Sequence, residues 1–208
     1  MGCEERLSAV HPAGPFATAI AELWWVMLAG ATIIFLFVMA LLVVSFRAGG
    51  TGRATLGLWV GGLGLAFPLT VLAALLIWGL VLGERYLVPA DDGAPLVEAE
   101  ARQWVWTFRY PETGRAETEN ILFIPAGQPV DVAITSVDVI HSFWVPRLAG
   151  KLDAIPGHRN VLRIKAFEPG DYAGVSAEFS GAGYADFRFT VRALDPGDWD
   201  AFLAGGGP

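Results

Sequence analysis

Two long runs of apolar residues constrain the fold of this 208-residue chain more than any other feature. Residues 23–46 form an uncharged run of 24 residues, which at about 1.5 Å per residue is long enough to cross a hydrocarbon core of about 30 Å. Residues 56–82 form a second uncharged run, in which Pro68 should kink the helix without excluding it from lipid. Buried core helices are the alternative, but a soluble domain of this size does not hide two such runs. The sequence therefore predicts two transmembrane helices, at about residues 23–46 and 56–82.

The short segment that joins the two runs predicts their orientation. Arg47 and Arg53 bracket it, and it contains no acidic residue. Because short loops rich in arginine and lysine stay in the cytoplasm, this loop is expected to be cytoplasmic. Both termini are then expected on the periplasmic side of a bacterial inner membrane.

Beyond residue 89 the sequence changes to short β-rich segments separated by Gly, Pro and Asp, which is typical of a β-sandwich or barrel. In the last segment Phe187, Phe189 and Val191 alternate with polar residues, as in a strand with one buried face. The pattern that starts at Asp195 and Pro196 predicts a capped terminal helix. The seven predicted strands cover residues 97–110, 121–124, 130–137, 139–145, 161–166, 171–177 and 187–193.

Charge and cysteine content exclude several classes of protein. From residue 84 onward there are 18 acidic and 11 basic residues, so nucleic acid is not an expected partner. Cys3 is the single cysteine, which excludes an internal disulfide or a CxxC motif. No apolar stretch precedes it, so no cleavable signal peptide is expected in the sequence as it stands. The Gly-Cys pair also fits the end of a lipoprotein cleavage site, so Cys3 is either a lipidation candidate or an ordinary free thiol.

Three motifs follow the two apolar runs in a fixed order: Gln-Trp-Val-Trp at residues 103–106, His-Ser-Phe-Trp-Val-Pro at 141–146 and Lys-Leu-Asp-Ala-Ile-Pro-Gly at 151–157. In this order and spacing the chain resembles subunit II of haem–copper terminal oxidases. The resemblance implies a two-helix transmembrane hairpin followed by an all-β cupredoxin-like sandwich. The expected organisation is an N-terminal periplasmic segment (residues 1–20), the hairpin (21–88), the periplasmic sandwich (89–194), and a C-terminal helix and tail (195–208).

In that family the sandwich holds two copper ions, through a histidine matching His141 and through a later Cys-x-Glu-x-Cys-x-x-x-His-x-x-Met loop. Here that loop reads Ser-Ala-Glu-Phe-Ser-Gly-Ala-Gly-Tyr-Ala-Asp-Phe over residues 176–187. Serine hydroxyls do not replace the soft thiolates that hold such copper. The resemblance therefore predicts a degenerate, copper-free site. Its positions are His141, Ser176, Glu178, Ser180, Tyr184 and Phe187.

Four of the matching residues carry specific expectations about their roles. The resemblance implies that Glu178 contributes to a magnesium site shared with subunit I, and an interface or loop carboxylate paired with an arginine is the alternative. Trp104 and Trp106 match the aromatic patch through which electrons enter the copper site. Spaced by two, they are expected to share one face of a strand and to act structurally, since no copper lies behind them. His141 is expected to be a satisfied, partly buried structural histidine.

The resemblance implies a non-catalytic subunit of a proton-translocating respiratory oxidase that takes electrons from quinol and reduces oxygen to water. Haems and copper are expected in subunit I. The expected partners are subunit I, subunit III and membrane lipid, together with the quinol pool, which is reached through subunit I. No catalytic residue is expected in this chain. Three alternatives remain: the same subunit of a nitric oxide reductase, subunit II of a cytochrome c oxidase with a different electron-entry route, and a membrane-anchored copper-delivery protein.

Overall fold

In the computed structural model, residues 5–47, 57–85, 93–111 and 117–205 are described. Contacts between residues divide the chain into two compact units. One consists of Met1–Trp24 together with Val88–Pro208, and the other of Trp25–Leu87.

The second unit is helical. Helix α1 (Pro15–Arg47) enters it from the first unit, and a π-helical stretch (Gly57–Ala66) continues directly as α2 (Phe67–Arg85). Both helices are long and apolar enough to cross a membrane, and the most apolar part of each is unburied, as membrane-facing side chains require. Proline lacks the N–H that an α-helical turn uses, and the winding changes from π to α at Phe67, the residue before Pro68.

Helix α1 begins eight residues before the apolar run at residue 23. Its first turns bury Ala17, Ala19 and Ala21 in the unit that contains the sandwich. The backbone N–H of Ala17 donates to the carbonyl of Leu148 at 3.2 Å. Hydropathy locates only the apolar part of this helix, because its early turns are stabilised by contacts with protein.

The first unit contains a β-sandwich of two mixed sheets. In one sheet the strand order is β3-β2-β1-β5-β8, and in the other it is β4-β10-β9-β6-β7. The β1–β5 and β4–β10 pairs are parallel, and the remaining pairs are antiparallel. The ten described strands are β1 (Leu96–Arg102), β2 (Val105–Arg109), β3 (Thr118–Glu119), β4 (Ile121–Pro125), β5 (Val130–Ser136), β6 (His141–Trp144), β7 (Leu152–Ala154), β8 (Asn160–Ile164), β9 (Gly170–Ser176) and β10 (Arg188–Leu194).

The strand prediction is wrong at two places that matter for the site. The stretch 97–110 is an antiparallel hairpin rather than one strand, because the chain turns at Gln103 and Trp104. The segment predicted at 139–145 begins only at His141, because side-chain bonds from Ser136 and Asp138 hold residues 137–139 in a loop. Short strands β3 and β7 escape prediction since they are two and three residues long.

The interior of the sandwich is aromatic. Trp106 is fully buried, and its ring lies within 6.3 Å, centroid to centroid, of four phenylalanine rings. The predicted alternation holds in the last strand, where Phe189 and Val191 point into this core. Those four phenylalanines are Phe108, Phe143, Phe187 and Phe189.

The predicted terminal helix is α3 (Pro196–Leu203). It buries Trp199 and Phe202, and the Phe202 ring lies 4.6 Å from that of Phe123 in β4. Asp195 occupies the position before the helix, but its side chain makes no capping hydrogen bond. Aromatic packing rather than the aspartate cap therefore holds this helix.

Candidate functional site: a degenerate metal site in the sandwich

His141 opens strand β6, and its side chain is fully buried. Its Nε2 lies 2.8 Å from Oδ1 of Asp138, whereas its Nδ1 has no hydrogen-bond partner among the described residues. The rings of Trp104 and Phe187 approach the imidazole edge to face, at 6.3 and 5.4 Å. The prediction that His141 is partly buried and has partners for its hydrogen-bonding groups is therefore wrong on two points. The side chain is wholly buried, and one ring nitrogen has no hydrogen-bond partner among the described residues.

Asp138 orients this histidine. Its carboxylate accepts hydrogen bonds from the backbone N–H groups of Gln103 (2.8 Å) and Val139 (2.6 Å), and from the Ser136 hydroxyl (3.2 Å). Burial alone would raise the pKa of Asp138, but these bonds and the one to His141 outweigh it and lower the pKa to about 2. Asp138 is therefore ionised at neutral pH. Its stabilising effect is present above the unfolded pKa of about 3.9 and is lost as the pH falls through about 2.

The two serines at the predicted thiolate positions are buried and bonded to backbone groups. Ser176 ends β9, and its Oγ accepts a hydrogen bond from the N–H of Ser142 at 3.2 Å. Ser180 Oγ lies 2.8 Å from the carbonyl oxygen of Ile140 and 3.2 Å from that of Glu178. Both hydroxyls thus have partners in the protein without any metal ion.

Tyr184 and Phe187 take different positions. Tyr184 starts a short 3-10 helix (Tyr184–Asp186), is half-buried, and contacts the ring of Phe179 at 5.2 Å. Phe187 is 2% exposed, and its ring stacks on Trp106 at 5.8 Å. The structure therefore brings Phe187 next to His141 and leaves Tyr184 half-buried beside Phe179.

The two tryptophans do not share one strand, which corrects the prediction. Trp104 lies in the turn between β1 and β2 and is 37% exposed, whereas Trp106 lies in β2 and is fully buried. Both nevertheless contact Phe187, Trp104 at 5.9 Å and Trp106 at 5.8 Å. Trp104 covers the degenerate site and Trp106 supports it from within.

Glu178 forms an ion pair with a lysine, whereas the predicted alternative to a metal ligand was a carboxylate paired with an arginine. Its Oε2 lies 3.5 Å from Nζ of Lys151, which is also 3.5 Å from Oδ1 of Asp153. Asp153 in turn accepts a hydrogen bond from the Ser142 hydroxyl at 2.5 Å. Within the described part of the chain, no three His, Cys, Asp or Glu side chains lie close enough together to hold a metal ion.

The residues at the site do not fit a dinuclear copper centre. Such copper requires soft thiolate and imidazole donors, of which the site has one imidazole, in His141. The other positions offer hydroxyl, carboxylate, phenol and phenyl groups. Magnesium typically takes only one or two protein carboxylates, so the Glu178 hypothesis depends on ligands from another subunit and stays a prediction. Cys3, the lipidation candidate, lies outside the described residues.

Sequence reasoning missed Gln103, Asp138 and Lys151 as parts of the site. One local feature of the sequence could have identified Asp138. It is a charged residue three positions before His141, where a buried strand would not be expected. Gln103 and Lys151 become neighbours of the loop only through the folding of the two sheets.

Comparisons with known proteins find similarity to subunits of respiratory oxidases. A family model described as "Cytochrome C oxidase subunit II, periplasmic domain" matches residues 112–194. The ubiquinol oxidase subunit 2 of Acetobacter aceti is 43% identical over 51% of this chain and 34% of its own length. The quinol oxidase subunit 2 of Bacillus cereus is 29% identical over 97% of this chain and 74% of its own length.

A cytochrome c oxidase subunit 2 from Alkalihalophilus pseudofirmus is also 29% identical, over 98% of this chain. The chain spans 34% and 64% of the lengths of the Acetobacter and Alkalihalophilus relatives. Among solved structures, the periplasmic domain of subunit II of cytochrome oxidase from Bradyrhizobium japonicum is 27% identical, with a TM-score of 0.52 over 56% of this chain and 94% of that domain. The chain, with its two apolar helices and cupredoxin-like sandwich, is therefore similar to subunit II of quinol and cytochrome c oxidases.

Proposed function

We propose that this chain is the non-catalytic subunit II of a quinol-oxidising, proton-translocating respiratory oxidase that reduces oxygen to water. The observation that carries the proposal is the loop at residues 176–187, which offers no thiolate, thioether or second imidazole next to His141. A sandwich without copper does not pass electrons onward, so a membrane-soluble quinol that reaches subunit I directly is the consistent donor. Relatives named as quinol or ubiquinol oxidase subunits support the same reading.

On this proposal the redox groups belong to the catalytic subunit, and this chain contributes a folded contact surface. Haems and copper lie in subunit I, and subunit III and lipid complete the complex. The two arginines that bracket the loop between the helices favour a periplasmic location of both termini, by the positive-inside rule. The chain then stabilises subunit I from the periplasmic side of the inner membrane.

A group of exposed apolar residues beside the degenerate site is suited to that contact. Val139, Ile140 and Phe179 line one open cavity together with Asp153 and Glu178. Phe179 is 76% exposed, the highest value among the large apolar residues described in the sandwich. Large aromatic side chains at the centre of an interface carry a disproportionate share of binding energy.

Replacing Phe179 by glutamate is therefore expected to reduce the amount of this chain that co-purifies with subunit I by about tenfold or more. Phe167 gives a matched control, because it is an apolar aromatic residue in the same unit, 52% exposed and outside this cavity. Phe167→Glu should co-purify like the parent chain. Equal recovery of both variants would contradict the contact assigned to Phe179.

The copper content of the purified full-length chain tests the absence of the redox centre. We expect much less than one copper per chain by elemental analysis, and no visible absorption band after copper is added under mild reducing conditions. A purple chromophore with near-stoichiometric copper would overturn the proposal, because the donors described above would then bind copper after all.

A further inference from the structure

The hydroxyl groups of Ser176 and Ser180 bond to the two neighbours of His141 along the chain. Ser176 Oγ accepts from the backbone N–H of Ser142, and Ser180 Oγ donates to the backbone carbonyl of Ile140. Both serines are at most 6% exposed. The loop between β9 and β10 is therefore tied to the start of β6 on both sides of the buried histidine.

Gln103 adds a third tie from a different part of the chain. Its side-chain Nε2 donates to the carbonyl oxygen of Ser180 at 2.5 Å, and its backbone N–H donates to Oδ2 of Asp138 at 2.8 Å. One residue of the β1–β2 turn thus bridges the loop that precedes His141 and the loop that follows β9. These three segments are separated by 35 and 77 residues in sequence, so the bridge forms only in the folded sandwich.

The indole of Trp104 lies beside two glycines of the same loop. Gly181 and Gly183 have φ values of +120° and +102°, which other residues rarely adopt. A Cβ atom on either glycine would lie 3.4 to 4.0 Å from atoms of the Trp104 indole, which is ordinary van der Waals contact. The ring therefore borders the loop at both glycines without pressing on their backbone.

We infer that Gln103, Ser176 and Ser180 form a latch that holds the β9–β10 loop in its folded conformation without a metal ion. The inference rests on the proposed function in one respect, namely that the loop contains no copper to hold it. The three residues are positioning residues, because they act through the loop on Phe179 and Glu178, which the loop carries. The latch presents these two side chains to a partner in a fixed arrangement before any partner is bound.

Hydrogen exchange measured by mass spectrometry on the full-length chain tests the latch. Ser180→Cys is the preferred variant, because it conserves side-chain volume while a thiol is only a weak hydrogen-bond donor. We expect amides in the loop at residues 177–187 to exchange about five- to thirtyfold faster in Ser180→Cys, and in Ser176→Ala, than in the parent chain. Amides of β5 and β8, in the opposite sheet, should change much less.

Thr118→Val is the matched control. It removes another bond from a side-chain hydroxyl to a backbone carbonyl, from Thr118 Oγ1 to Ile121 at 2.7 Å, at a distance from the loop in sequence. Loop exchange in this variant should equal that of the parent chain. Loop exchange that is unchanged in both serine variants, or that rises as much in Thr118→Val, would overturn the latch.

Two measurements on the parent chain separate this inference from the proposed function. Treatment with a copper chelator should leave loop exchange unchanged; a loop loosened by the chelator would mean that a metal holds it, and the latch would fail. Copper content is determined on the same preparations. Stoichiometric copper, together with faster loop exchange in the serine variants, would overturn the proposed function but not the latch. A copper-free chain, together with unchanged loop exchange in the serine variants, would overturn the latch but not the proposed function.

Discussion

Replacement of Phe187 by alanine is expected to lower the free energy of unfolding of the sandwich by about 3–5 kcal/mol. The side chain is 2% exposed, and its ring contacts His141, Trp104 and Trp106 at centroid distances of 5.4 to 5.9 Å. Removing it leaves a cavity between the two tryptophans that the surrounding strands cannot fill. Denaturant unfolding of the purified full-length chain, followed by near-ultraviolet circular dichroism, reports directly on these aromatic rings.

Phe187→Met is the control for this prediction. Methionine is flexible and close in volume, so the cost should stay below about 1.5 kcal/mol. If Phe187→Ala loses much more unfolding free energy than Phe187→Met, the side chain at this position stabilises the sandwich by filling space in its core. If methionine were as costly as alanine, the view that this metal position has become part of the aromatic core would be wrong.

The second large effect is expected at the pair formed by Arg163 and Asp131. The two residues face each other across β5 and β8, and bond through Nε to Oδ1 at 2.7 Å and Nη2 to Oδ2 at 2.8 Å. Their side chains are 8% and 16% exposed. Arg163→Met leaves the mostly buried aspartate charge without this partner, which we expect to cost about 3 kcal/mol of unfolding free energy.

Arg192 and Asp171 provide the comparison, since they bond with the same atoms and at the same distances of 2.7 and 2.8 Å. Their side chains are 39% and 41% exposed, so water screens the pair. Arg192→Met should cost at most about 1 kcal/mol. Equal losses in the two methionine variants, measured by the same unfolding experiment, would show that burial does not decide the effect.

Those parts of the fold that depend on local pattern were predictable from the sequence. The membrane helices follow from the length and lack of charge of two runs, and the buried face of β10 follows from strict alternation of Phe189 and Val191 with polar residues. The first turns of α1 were not predictable, because their helical state depends on contacts such as that of Ala17 with Leu148. The hairpin turn at Gln103 and Trp104 was hidden for a similar reason: the flanking residues are equally suited to one continuous strand.

The site divides in the same way. Motif order identified the positions of His141, Ser176, Ser180 and Phe187, and residue chemistry predicted that they do not fit copper. What the serines bond to depends on the pairing of β6 with β9, where Phe143 lies opposite Ser176. Sequence separation hides such long-range partners, so the hydrogen bonds that tie the loop to the His141 strand emerged only from the folded structure.

The most direct test of the central proposal is oxygen consumption by the intact membrane complex that contains this chain, assayed with a quinol and with reduced cytochrome c as alternative donors. We predict rapid turnover with the quinol and negligible turnover with cytochrome c, because the residues of the sandwich do not fit the copper site that would receive electrons from a soluble protein. Turnover with cytochrome c alone would contradict the account.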